Sequence, residues 1–370
     1  MSRGAATTEA LSVAVAAGVP VLLWGAPGTG KTSALRALAE RAGLPCEVVI
    51  ASIREPSDFA GLPVVINGEV SFAPPAWARR LAAAGRGLLF LDELSTAPPA
   101  VQAALLRVVL ERVVGDLTLP DNIAVVAAAN PPEQAADGWD LSAPLANRFC
   151  HLDWAVDARS FAEGMAAGFP APEVASLPAD WERQLVSSRA LVSAFAIVRP
   201  ALVVVPPTDA AEAGRGWPSP RTWEMTARLL AASRAAGASA DALSQLIRGA
   251  VGDGPGSEFL GWAQELDLPD PEAVLADPSS FVLPERGDRA YAALASIAAA
   301  VVAEPTVERW YAGWKVLGSA GERAPDVAAV AARLLARCRP PGASAPPEIK
   351  AFLPLLRDAG MLGDLGGSGS

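Results

Sequence analysis

The stretch GAPGTGKT, Gly25 to Thr32, sets three glycines, a lysine and a threonine in the spacing G-x-x-x-x-G-K-[ST]. Gly25, Gly28 and Gly30 permit a tight turn in which successive backbone N–H groups, those of Ala26, Pro27's neighbours and Thr29 among them, converge on the oxygens of a phosphate. Lys31 adds a positive charge and Thr32 offers a hydroxyl to Mg²⁺. A helix starting here turns its N-terminus toward the anion. The plain alternative, a glycine-rich turn with an incidental lysine, leaves unexplained the strand-like run before the motif and the helical period after it.

A second chemical feature is the run Leu88 to Leu91, which ends in two adjacent carboxylates, Asp92 and Glu93. Charge at the end of an apolar strand costs several kcal/mol unless something compensates it. In a parallel sheet the carboxyl ends of neighbouring strands open into one crevice, so Asp92 is expected to face the loop that holds Thr32. There it supplies the hard oxygen that Mg²⁺ takes, directly or through water. Glu93, one residue later, suits the polarisation of a water for attack on a γ-phosphate. A solvated loop after a strand is the other reading of the pair.

Three more polar residues fall where such chemistry needs them. Asn130 ends the apolar run IAVVAAAN and can hold the attacking water or contact the γ-phosphate. Before Pro131 and Pro132 it is equally a generic turn residue. Arg148, in LANRF, carries the fixed planar charge that stabilises a phosphoryl transition state from a neighbouring subunit. It also fits a surface ion pair. Arg221 stands in the first turn of a helix opened by Ser219 and Pro220, where it opposes the helix dipole. Contact with a nucleotide would account for it there.

The elements that must position these residues can be read from the pattern. Short apolar runs VPVLLW, PCEVVIAS, GLLFLDEL, NIAVVAAAN and RFCHLDW read as five strands. Helical periods follow the first run (TSALRALAERAG, stopped by Gly43) and the third (PPAVQAALLRVVLERV). Alternation of this kind predicts a parallel sheet with helices on both faces. PVVINGEVSFAPP interrupts it, and its Asn67-Gly68 pair between apolar runs predicts a hairpin. Beyond about residue 155, helical stretches dominate: Trp181–Val198, Arg221–Ala236, Ala240–Val251, Asp288–Ala303 and Pro325–Arg337. From Pro255 to Pro284 only a turn or short helix is expected. The divisions are an α/β core over 1–155, a helical domain over 156–254, a mainly helical region over 255–365, and a linker-like tail over 366–370.

Composition sets the bounds. The chain has 370 residues, 51% of them hydrophobic, which suits two or three domains. A net charge of −10 argues against general nucleic-acid binding and suits a protein partner. Cys46, Cys150 and Cys338 are three and widely spaced, which fits neither a disulfide framework nor zinc; a reducing, cytoplasmic setting is expected. His151 is the single histidine and reads as structural. The early run ALSVAVAAGVPVLLW is broken by Gly18 and Pro20, so it reads as a helix, a turn and a strand, with no membrane span. Of the ten tryptophans, Trp24 and Trp223 are expected to pack near the site or in the core.

GAPGTGKT, LLFLDEL, VVAAAN, LANRF and SPRTW, in this order, resemble the AAA+ ATPases and, within them, the MoxR-like group. IREPSDFAGLP and the INGEVSF hairpin also look like that group, whose second helix carries a hairpin insert. The resemblance spans roughly residues 5–240. It implies an AAA+ P-loop core of five parallel strands with that hairpin insert, followed by an α-helical lid. It further implies Lys31 and Thr32 as Walker A, Asp92 and Glu93 as Walker B, Asn130 as sensor 1, Arg148 as arginine finger and Arg221 as sensor 2. Asn147 departs from the Asp that relatives often carry before the finger, and Arg107 and Arg112 are fallback interface arginines. The family forms hexameric rings of ATP- and Mg²⁺-dependent, chaperone-like remodellers, often with a von Willebrand factor A domain protein as partner. The other classes weighed are a monomeric P-loop enzyme such as a small-molecule kinase, a nucleotide-gated scaffold with little turnover, and, given the acidic balance, a less favoured DNA-linked motor.

Overall fold

A computed structural model of the chain describes residues 3–131, 139–266, 268–358 and 360. The tail expected at 366–370 lies outside the described residues. Among the described residues nine strands form: β1 (Val21–Trp24), β2 (Cys46–Ile50), β3 (Leu62–Ile66), β4 (Glu69–Ala73), β5 (Gly87–Asp92), β6 (Val113–Val114), β7 (Leu117–Thr118), β8 (Ile123–Ala129) and β9 (Cys150–Asp153). The five runs expected as strands make one parallel sheet in the order β2-β5-β8-β1-β9. β1 and β8 are buried along their whole length, which is why they read as unbroken apolar runs.

Register then decides where the chemistry gathers. Ile50 pairs with Asp92, and Trp24 pairs with both Ala129 and Asp153. The carboxyl ends of all five strands therefore lie along one edge of the sheet, the edge at which open α/β sheets bind ligands. Helices Lys31–Arg41, Ala76–Ala84 and Pro99–Glu111 complete the α/β layers. Leu22, Leu89 and Leu91 pack with Val101, Leu105 and Phe149 in one core.

β3 and β4 form the expected hairpin, with Asn67 (φ 55°) and Gly68 (φ 86°) both left-handed, as a two-residue primed turn demands. Its Leu62, Val65, Ile66, Val70 and Phe72 are exposed. The β6–β7 ribbon, from the ERVVGDLTLPD stretch, is tied to the hairpin base. Asp116 N donates to Phe72 O (3.0 Å) and Phe72 N to Asp116 Oδ2 (2.7 Å).

Contacts divide the chain into two compact units, Met1–Ala179 with Ala201–Glu258, and Asp180–Pro200 with Phe259–Ser370. The first holds the sheet together with helices Pro220–Ala236 and Ala240–Val251. Helix Arg183–Val198, expected in the lid, instead belongs to the second unit. It packs on Gly287–Ala303, and its Phe195 meets Phe259 and Trp262 with ring centroids 5.3 Å apart in each pair. Within 255–284, Pro271–Ala276 fits the short helix expected there, whereas the longer helix Asp253–Glu265 was not anticipated, nor was Val307–Gly321. Glycines disguise the last of these. A Cβ on Gly313 would stand 3.0 Å from Leu335 Cδ1 and one on Gly321 2.6 Å from Phe352 Cζ, so both glycines serve close packing. No helix among the described residues is long and apolar enough to cross a membrane.

Candidate nucleotide site

The loop between β1 and helix Lys31–Arg41 takes the shape its sequence demands. Gly28 (φ 73°) and Gly30 (φ 83°) are left-handed, a conformation that costs other residues about 1 kcal/mol. Gly25 answers a different need, because a Cβ there would lie 2.6 Å from the carbonyl oxygen of Trp154. Trp154 follows β9 and braces the loop, its Nε1 donating to Thr29 O at 3.1 Å. Thr29 Oγ1 in turn donates to Ala26 O at 2.7 Å.

Lys31 is buried, and its ammonium donates to Gly25 O (2.7 Å), Ala26 O (3.0 Å) and Asn130 Oδ1 (3.3 Å). Burial lowers its pKa, and the nearby Asp92 carboxylate opposes that shift. Thr32 Oγ1 donates to Asp92 Oδ2 at 2.9 Å. A hydroxyl and a carboxylate so close are the hard-oxygen pair that Mg²⁺ uses with phosphate and water. Among the described residues no group of three or more His, Cys, Asp or Glu could enclose a cation. The Thr32 hydroxyl and Asp92 carboxylate together fit Mg²⁺ completed by phosphate and water oxygens.

Among the described residues, Glu93 is one of three non-glycine residues with positive φ, at 57°. Left-handed backbone at such a residue is strain of the kind that persists at functional sites. It takes Glu93 out of line with β5 and exposes its carboxylate, which accepts a hydrogen bond from the Ser52 hydroxyl. The Glu93 backbone amide donates to Asp92 Oδ1 at 3.0 Å, which holds the Asp92 carboxylate against the backbone that follows β5. Ser95, also just beyond β5, accepts from Asn130 N at 3.2 Å. Sequence reasoning missed Ser52, Ser95 and Trp154. Ser52 and Trp154 lie just past the ends of β2 and β9, and only the sheet order brings those ends to the site.

Arg148 and Arg221 form a second group. Arg148 follows the short helix Ala143–Ala146, is half-buried, and donates to Pro144 O, while its Nε is buried with no hydrogen-bond partner. Burial lowers its pKa and the like charge of Arg221 adds to that, which places the two arginines in each other's field. Arg221 is exposed in the first turn of Pro220–Ala236. Among the described residues, no hydrogen bond or ion pair joins either arginine to Lys31, Thr32, Asp92, Glu93 or Asn130. Of the fallback arginines, Arg107 pairs with Glu111 on its own helix (3.2 Å), and Arg112 is bound to Ile123 O.

His151 links the two groups. Trp24 Nε1 donates to His151 Nδ1 at 2.8 Å, so the imidazole proton sits on Nε2, which donates to Ala146 O at 2.9 Å. Trp24 immediately precedes the loop, and Ala146 stands two residues before Arg148. Arg215 covers the Trp24 ring at 4.4 Å and pairs with Asp153 at 3.0 Å.

A glycine-rich loop after β1, Asp92 at the end of the next-but-one strand β5 with Glu93 following it, and the order β2-β5-β8-β1-β9 define the AAA+ α/β nucleotide-binding fold. Residues 20–149 match the family described as AAA domain, dynein-related subfamily. Over 121 residues the chain is 33% identical to the pathogenicity locus probable regulatory protein WtsA of Pantoea stewartii subsp. stewartii, covering 31% of this chain and 38% of that protein. Over 123 residues it is 37% identical to the Psp operon transcriptional activator of Escherichia coli K12, covering 30% and 37%. The chain thus spans under two fifths of the length of these relatives. A crystal structure of an ATPase from Cytophaga hutchinsonii ATCC 33406 aligns over 65% of this chain and 78% of its own, at 20% identity and a TM-score of 0.43. A likeness of that size leaves the assignment with the sheet order and the matched residues.

Proposed function

We propose that this protein is an ATP-hydrolysing AAA+ ATPase of MoxR-like type, which assembles as a ring and uses turnover to remodel a protein partner. The observation that supports the ring is the division of the site. Lys31 is hydrogen-bonded to Asn130 and Thr32 to Asp92, with Glu93 next to Asp92, whereas among the described residues no hydrogen bond or ion pair joins Arg148 or Arg221 to any of them. In a head-to-tail ring the second group of one protomer meets the first group of the next.

The loop residues and Lys31 hold the β- and γ-phosphates of ATP, and Thr32 and Asp92 would hold Mg²⁺, which would supply charge that neutralises the phosphates. Glu93 accepts a proton from water as its oxygen attacks the γ-phosphorus. The bond from that phosphorus to the bridging oxygen breaks, and ADP departs with the electron pair. Asn130 positions the water. Arg148 of the neighbour, with Arg221, stabilises the charge that develops. The exposed β3–β4 hairpin and the ribbon tied to it are the client-contacting elements, and a von Willebrand factor A domain protein is the partner class that the family resemblance favours. The relatives' regulatory roles are not carried over, because the likeness covers the core alone.

Mixing two inactive variants tests this. Glu93→Gln and Arg148→Ala rings are each expected to lack turnover. In a random one-to-one mixture about a quarter of interfaces combine an intact Glu93 with a neighbour's intact Arg148. ATPase activity should therefore reappear on mixing. Two inactive variants that stay inactive together while forming mixed rings would sink the in-trans reading, and a fully active wild-type monomer would favour a kinase-like enzyme.

A further inference from the structure

Asn147 stands where an acid was expected from the family pattern, and its environment explains the amide. The side chain is 2% exposed. Its Nδ2 donates to Trp217 O at 3.0 Å, and its Oδ1 accepts from Ser219 Oγ at 2.8 Å. The orientation is set by the partners. A carbonyl oxygen can only accept, and Ser219 Oγ already accepts from Thr222 N at 3.3 Å, so its proton is turned to Asn147. A carboxylate could receive the Ser219 proton but would set a second acceptor against the Trp217 carbonyl.

These bonds join two particular places. Asn147 is the residue before Arg148. Ser219 is the N-cap of Pro220–Ala236, closed by a capping box with Thr222, and Arg221 lies in the first turn of that helix. Two like charges in each other's field repel, and neither arginine is held by an acid among the described ion pairs.

We infer that Asn147 is a positioning residue: its amide clasps the turn carrying Arg148 to the N-terminus of the helix carrying Arg221, so that the two guanidiniums are presented together as one unit. This rests on the in-trans reading of Arg148 given above. Asn147 itself touches no reacting group, and its effect passes through the arginines.

The test is steady-state ATPase kinetics, with ring assembly followed by sedimentation, on full-length Asn147→Ala, Asn147→Asp, Arg148→Ala and the Asn147→Ala/Arg148→Ala double variant. Arg148→Ala should lower kcat about 100-fold or more. Asn147→Ala should lower kcat about tenfold or more with KM for ATP changed less than about threefold, and the double variant should match Arg148→Ala alone. Asn147→Asp fills the same volume and keeps the acceptor for Ser219. It should lose kcat without losing the ring, and it decides the matter if the alanine variant does not fold. Wild-type kcat in Asn147→Asp, a change confined to KM, or independent losses that multiply in the double variant would overturn the clasp. Wild-type kcat in Arg148→Ala would overturn the in-trans reading and the clasp with it, whereas an inactive Arg148→Ala beside fully active Asn147 variants would overturn the clasp alone.

Discussion

The single histidine gives the sharpest physical test of the packing around the site. His151 is buried, receives the Trp24 indole proton on Nδ1, and donates from Nε2 to Ala146 O. Burial is the main cause that pulls its pKa from 6.5 down to about 4, with the Arg215 charge acting in the same direction. A second proton would have to enter at Nδ1, where the Trp24 N–H already points. The sign follows directly. The unfolded chain binds a proton near pH 6.5 and the folded chain only near 4, so the unfolded state gains protons first as pH falls. The neutral-histidine contribution is whole above about 6.5 and is lost progressively toward 4, at about 1.4 kcal/mol per pH unit and about 3 kcal/mol in all. Because the chain has one histidine, an imidazole-labelled sample gives one titrating resonance set in heteronuclear NMR with no assignment problem. The expected result is an Nε2–H tautomer and a midpoint near 4. In parallel, denaturant unfolding of the wild type should lose stability between pH 6.5 and 4.5 more steeply than His151→Gln does. A midpoint at or above 6, or an Nδ1–H tautomer, would refute the Trp24–His151–Ala146 chain.

Two glycine substitutions probe close approaches elsewhere. Gly25→Ala sets a Cβ 2.6 Å from the Trp154 carbonyl, a backbone atom that cannot swing away; the resulting shift should cost about 1–3 kcal/mol, read as a weakening of fluorescent ATP-analogue binding of about fivefold or more. Binding at wild-type affinity would show that the β9 end does not brace the loop. Gly321→Ala presses on the Phe352 ring, itself 2% exposed. It should destabilise the C-terminal unit by about 1–3 kcal/mol in denaturant unfolding of that unit, and an unchanged midpoint would count against the tight packing there.

What could be read from sequence was whatever repeated or stood at a fixed spacing. The five parallel strands were legible because burial on both faces leaves uninterrupted apolar runs, and Asn67-Gly68 because a primed turn nearly requires such a pair. Lys31 and Thr32 were legible from the fixed G-x-x-x-x-G-K-[ST] spacing, and Asp92 and Asn130 because each stands at the end of such an apolar run. Ser52 was not, because its meeting with Glu93 depends on β2 lying beside β5. The helix Val307–Gly321 was hidden by Gly313, Gly318 and Gly321, which read as breakers until the side chains filling their space are known. Helix Arg183–Val198 was legible as a helix but not as part of the C-terminal unit, since its Phe195 meets Phe259 and Trp262 only through the fold.

Asn147 shows how a departure from a family pattern can carry information of its own. The turn that bears Arg148 is fastened on one side through Ala146 O to His151 and so to Trp24, at the mouth of the phosphate loop. On the other side it is fastened through Asn147 to the cap of Pro220–Ala236. Suppose that helix moves relative to the sheet. If the Asn147 bonds hold, the turn and Arg148 move with the helix and the strain falls on the His151 link. If they break without water entering, a buried donor and a buried acceptor are left unpaired at about 1–3 kcal/mol each. Either way, the position of Arg148 is set by groups of its own chain, Trp24 and His151 on one side and the cap of Pro220–Ala236 on the other. On the in-trans reading proposed above, an arginine held in that manner carries the state of its own protomer to the site of the next.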